Sequence, residues 1–220
     1  NSGVFNRLRE LFSFTRQVET SGAGRARGPI THVIIMDGTL SSLAPGFETH
    51  AGLTYKLCAE AADGANMLVR YEAGIQWNSW RDTRDVIEGR GINAQIKRVY
   101  GALASRYRDG DKIYLFGYSR GAYAVRSLSG FIDSVGLLTS ENATEHNIKV
   151  AYRHYQSEPD DDAARAFRAA NCHANTKIDF IGVWDTVAAV GLHFPFLWRF
   201  AAVFHEFHTC KPATCALRAY

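Results

Sequence analysis

The sequence predicts an α/β fold: a mainly parallel sheet with helices packed on both faces. Three observations carry that expectation. Apolar runs of strand length alternate with stretches of helical periodicity, in the order β-α-β-α-β-α-insertion-β, and such connections imply parallel pairing. The run His32-Val33-Ile34-Ile35-Met36 is a continuous apolar segment fit for a buried parallel strand. A second run, Ile113-Tyr114-Leu115-Phe116, leads straight into Gly117-Tyr118-Ser119-Arg120-Gly121 and then a helical pattern.

Taken in order, residues 1–20 carry Val4, Phe5, Leu8, Leu11, Phe12 and Phe14 among arginines, the pattern of a short amphipathic helix. Such an arm packs against the domain or touches a membrane surface peripherally. Ser21–Pro29 has linker composition. The core opens with the His32–Met36 strand, and Asp37-Gly38-Thr39 follows at its C-terminal end, the edge where open α/β sheets gather ligands. A helix is expected over Leu53–Ala62 and a strand over Asn66–Tyr71, closed by Glu72-Ala73-Gly74. Gln76–Gly91 reads as a loop or lid. Ile92, Ile96, Val99, Tyr100, Leu103 and Tyr107 recur at helical spacing and predict a helix over Asn93–Tyr107. The third strand ends at Ser119, and Gly121–Ile132 forms the next helix. Helices near Thr144–Tyr155 and Asp160–Ala170 fill the insertion, and Lys177–Trp184 is the last strand. Asp160, Asp161 and Asp162 follow Pro159 and read as first-turn partners of the helix dipole rather than as a metal cluster.

With 220 residues, 46% of them hydrophobic, one domain over residues 30–220 is expected behind the arm and linker of residues 1–29. A net charge of +3 is too small to argue for a nucleic-acid partner. Cys58, Cys172, Cys210 and Cys215 form no zinc-like CxxC pair and demand no disulfide framework, so reduced thiols and a cytoplasmic location are expected. No signal peptide is visible. Ile181–Phe204 is the most apolar region, but Asp185, His193, Pro195 and Arg199 interrupt it, so it is not read as a membrane span.

Gly-x-Ser-x-Gly between a strand and a helix is the setting of a nucleophile elbow. Ser119 would stand on a sharp, strained turn, with Gly117 and Gly121 small because strand and helix pass close together. The Arg120 amide would face a developing oxyanion, joined by an amide from the Asp37-Gly38 loop. A serine hydroxyl needs a base and a group to orient that base. Asp185, at the end of the last strand, fits the acid by position; Asp179, Asp133 and Glu141 fit it less well. The base must follow the acid, and only His193, His205 and His208 do so. His193 comes too soon after Asp185, which leaves His205 and His208; His208 is carried forward as the candidate. The Arg120 head group has two readings: it pairs with Asp37 or with a substrate phosphate, or it is an ordinary solvated arginine. Trp77, Trp80 and Trp198, with the apolar Phe194–Phe204 segment, line either an acyl pocket or the core. No metal or organic cofactor is implied.

Met36-Asp37-Gly38-Thr39, Tyr71-Glu72-Ala73-Gly74, Gly91-Ile92-Asn93, the run Gly110 to Ala122, Arg126-Ser127-Leu128 and Val183-Trp184-Asp185-Thr186-Val187 occur in that order. Together they resemble the bacterial and fungal α/β-hydrolase family that includes the type VI secretion phospholipase effectors, over roughly residues 30 to 190. The resemblance implies a Ser-Asp-His hydrolase with Ser119 as nucleophile and Asp185 as acid, acting on a lipid or other small ester. For effector members it implies phospholipase activity. In that family the triad histidine lies in a His-Ala-Leu-Ala-like segment beyond the Trp-Asp-Thr-Val strand. No residue before Tyr220 matches it, so the base is expected beyond Tyr220, or His205 or His208 has taken its place. The alternative expectation is a non-catalytic module of the same fold, docked at a membrane through residues 1–20.

Overall fold

The computed structural model describes residues 28–38, 41–62, 64–74, 90–157 and 161–184. Four parallel strands form one sheet in the order β2-β1-β3-β4: β1 (Thr31–Met36), β2 (Met67–Glu72), β3 (Lys112–Tyr118) and β4 (Phe180–Trp184). Between them run α1 (His50–Ala62), α2 (Arg90–Ala104) and α3 (Arg120–Val135), then α4 (Glu145–Gln156) and α5 (Asp162–Asn171) before β4.

Alternation along the strands divides the core. Val33 and Ile35 face α1, with Ala51, Tyr55 and Cys58 against them. Ile34, Met36, Ile113 and Leu115 face the other way, onto Ile92, Ile96, Val99 and Tyr100 of α2 and Val125, Leu128 and Phe131 of α3. Helices therefore cover both faces, as expected for parallel strands whose crossovers must return over the sheet.

Element ends differ from the sequence reading for local reasons. Helix α1 starts at His50 rather than Leu53 because Thr49 caps it, its hydroxyl accepting from Gly52 N–H (2.9 Å). Helix α2 stops at Ala104, and Tyr107 reaches the core from the turn that follows. Asp161 caps α5 by accepting from Ala164 N–H, and Asp162 occupies its first turn, so these two acids serve the helix. Strand β4 begins at Phe180, not Lys177. Asp179 lies just before it and binds Ile113 with both its amide and its carboxylate (2.9 Å each).

Asp179 thus belongs to the N-terminal rim of the sheet. Asp111 holds the same rim: its carboxylate accepts from Ile30 N–H (2.8 Å) and Arg108 N–H (3.0 Å) and pairs with His32 Nε2 (2.9 Å). Both members of that pair are buried. Among the described residues no helix is long and apolar enough to cross a membrane.

Candidate active site

The opposite, C-terminal rim carries the candidate chemistry. It lies where the chain order reverses: from β1 the connection runs outward to β2 and the next returns past β1 to β3, which leaves a crevice at the ends of β1 and β3. Ser119 stands in that crevice, between the last residue of β3 and the first of α3. It has φ 54°, ψ −117°, and among the described residues it alone combines a side chain with positive φ. A non-glycine residue so placed stores on the order of 1–3 kcal/mol of strain.

Neighbours enforce the turn. Ser119 N–H donates to Trp184 O (3.0 Å), which ties the turn to the end of β4. Its own carbonyl accepts from Ala122 N–H (3.1 Å) and Tyr123 N–H (3.3 Å), which starts α3. A β-carbon on Gly117 would lie 2.6 Å from Ala122 Cα and from the Gly121 carbonyl oxygen. One on Gly121 would overlap the Met36 carbonyl, 2.5 Å from its carbon. Both glycines are therefore needed for α3 to start directly on the ends of β3 and β1. The Ser119 side chain makes no capping bond, and among the described residues the Arg120 and Gly121 amides have no acceptor. These are orphan donors at the positive end of a helix, beside Ser119.

The second expected source of oxyanion donors is corrected. Asp37 N–H donates to Glu72 O (2.9 Å), in continuation of the β1–β2 ladder. Gly38 N–H donates to Asp37 Oδ1 (2.7 Å). Neither amide is free for a substrate oxygen, and Thr39 lies outside the described residues. Gly38 nevertheless borders Ser119: a β-carbon there would be 2.9 Å from the Tyr118 ring and 3.3 Å from Ser119 Cβ.

Of the readings open for Arg120, the pair with Asp37 is not the one formed. Asp37, 1% exposed, accepts from Gly38 N–H, Thr49 Oγ1 (2.6 Å) and Tyr71 Oη (2.7 Å). Arg120 forms no ion pair among the described residues, and burial lowers its guanidinium pKa from the ordinary arginine value. Next along the rim, Glu72 accepts from Arg70 (2.7 Å) and Arg98 (2.7 Å), and Gln95 Nε2 donates to Ala73 O (3.2 Å).

Asp133 and Glu141 are exposed, and Asp179 is on the far rim, so none of the three shares the crevice. Asp185, His193, His205, His208, Trp77, Trp80, Trp198 and the Phe194–Phe204 segment lie outside the described residues; Trp184, immediately before Asp185, bonds to Ser119. Cys58 and Cys172 are free thiols. Sequence reasoning missed the roles of Tyr71 and Thr49. The legible signal was Thr49 itself, a hydroxyl residue three positions before Gly52 at a helix start.

A family model described as "T6SS, Phospholipase effector Tle1-like, catalytic domain" matches residues 31–219. An uncharacterized protein of Saccharomyces cerevisiae is 28% identical over 205 residues, which cover 78% of this chain and 30% of that protein. The chain thus spans under a third of the length of this relative. No solved structure matches.

Proposed function

The chain belongs to the Tle1-like phospholipase effector catalytic-domain family of type VI secretion, and from that premise we propose that it hydrolyses carboxylic ester bonds of lipids with Ser119 as nucleophile. The observation that carries this reading is the strained Ser119 turn, whose side chain makes no capping bond and which sits beside two amides that have no acceptor among the described residues. Strain is kept at a turn like this where a group must be held out from the backbone.

In the proposed reaction Ser119 Oγ attacks the acyl carbonyl while a histidine downstream of Asp185 takes the hydroxyl proton. His208 is the candidate for that base, and Asp185 orients it. The Arg120 amide binds the tetrahedral oxyanion. Collapse breaks the ester C–O bond, and the leaving alcohol takes the proton from the histidine. Water, deprotonated by the same histidine, then attacks the acyl-enzyme and releases the acid and Ser119. The domain proposed to do this runs over residues 30–220, with residues 1–29 as an arm and linker.

The test is labelling by a fluorophosphonate probe, with the modified peptide located by mass spectrometry, alongside turnover of a short-chain ester and of phospholipid vesicles. The expected result is labelling at Ser119 and loss of labelling and turnover in Ser119→Ala. Turnover retained in Ser119→Ala, or labelling confined to another residue, overturns the proposal.

A further inference from the structure

We infer that Tyr71 and Thr49 are positioning residues for this chemistry, acting through the buried Asp37 carboxylate to hold the loop after β1 against Ser119. This rests on the ester-hydrolase reading above and deepens it.

An ionised carboxylate only accepts, and Asp37 is supplied with donors from three elements: the Gly38 amide of its own loop, the Thr49 hydroxyl at the start of α1, and the Tyr71 hydroxyl at the end of β2. The Thr49 hydroxyl is fixed from the other side, since it accepts from Gly52 N–H while donating to Asp37. The positive N-terminal end of α1 therefore abuts the carboxylate. Burial, and secondarily the Asp37 charge, raise the Tyr71 pKa, so Tyr71 remains a protonated donor at any working pH. Ser41 Oγ, 3.4 Å from the Tyr71 hydroxyl, accepts from Gly74 N–H (3.2 Å) and links the same loop to the residues after β2.

The purpose of so many bonds is legible in what they hold. Gly38 is one residue from the carboxylate, and there is no room for a side chain between it and Ser119. A loop held by three donors cannot drift from the nucleophile, and the start of α3 packs against the same backbone, since a β-carbon on Gly121 would lie 2.7 Å from the Asp37 carbonyl oxygen. Loss of one donor leaves the Ser119 turn intact but loosens the wall beside it. Misplacement of a positioning element by about 1 Å costs on the order of a hundredfold in rate.

The experiment compares Tyr71→Phe, Thr49→Val and Thr49→Ser with the wild-type full chain and Ser119→Ala, well below their melting temperatures. The readouts are kcat and KM on a water-soluble short-chain ester and the rate of fluorophosphonate labelling. Tyr71→Phe and Thr49→Val should each lower kcat and labelling rate by roughly ten- to a hundredfold with KM within about twofold, whereas Thr49→Ser, which keeps the hydroxyl, should retain most of both. Ser119-dependent turnover that is unchanged in Tyr71→Phe and Thr49→Val overturns the inference and leaves the hydrolase reading standing. Loss in Thr49→Ser equal to that in Thr49→Val also overturns it, since the hydroxyl would then not be the working group. Absence of turnover and labelling in the wild-type chain, or their survival in Ser119→Ala, overturns the hydrolase reading and this inference with it.

Discussion

At the scale of single residues, Ser119 and the glycines around it define what the crevice tolerates. Ser119→Gly removes the cost of a positive φ and should be more stable than Ser119→Ala by about 1 kcal/mol, measured by urea denaturation, while both are inactive. Gly121→Ala has no such relief, because the added carbon meets the Met36 backbone rather than a movable side chain. It should cost about 3 kcal/mol or more, seen as a collapse in soluble yield or in denaturation midpoint. Gly38→Ala meets the Tyr118 ring and the Ser119 β-carbon, so it should act on the reaction more than on stability. Ten-fold or greater loss of kcat with a melting temperature within a few degrees of wild type is the expected pattern.

At the scale of elements, caps and end-of-strand acids set where helices and strands begin. Thr144 accepts from Asn147 N–H at the start of α4 and Asp161 from Ala164 N–H at the start of α5. Thr144→Ala and Asp161→Ala should each cost about 1 kcal/mol in denaturation experiments. Glu72 is a stronger pin, because it ties the end of β2 to α2 through Arg98 while Arg70 neutralises it from its own strand. Glu72→Ala should cost about 3 kcal/mol, since it strands the half-buried Arg70 without a carboxylate. The helices were legible because Ile92, Ile96, Val99 and Leu103 repeat at one period, and β1 because its residues are apolar on both faces. The ends were less legible. Whether Asp179 sits inside a strand or before it depends on a bond to Ile113, a residue far away in the chain. The Ser119 turn could be read from local spacing alone, and so could a loop-holding role for Asp37, but the partners that give it that role could not. They come from the cap of α1 and from β2, and the carboxylate meets two hydroxyls rather than Arg120.

At the scale of the whole molecule, the sheet has two rims with separate tasks, each held by acids that are buried or, for Asp179, half-buried. Asp111 and Asp179 fasten the N-terminal rim, and Asp37 and Glu72 the C-terminal one. Asp111→Ala should therefore lower stability by about 3 kcal/mol, through the lost bond to the buried His32 Nε2 and two lost amide bonds. Turnover per folded molecule should be unaltered, as checked by kcat corrected for the native fraction.

The position of β1 in the middle of the sheet has a consequence for how the chain is made. Its first neighbour, β2, is synthesised soon after it, but Thr31 must wait for Lys112 to close its other side. That partner emerges roughly 80 residues later, a non-local pairing of the kind that slows folding. At ribosomal speeds of about 5–20 residues per second, one edge of the most fully buried strand stays open for roughly 4–16 s. During that interval the nascent chain presents an unpaired β-edge to its surroundings. A stall before β3 emerges leaves that edge available to chaperones and to other nascent chains alike.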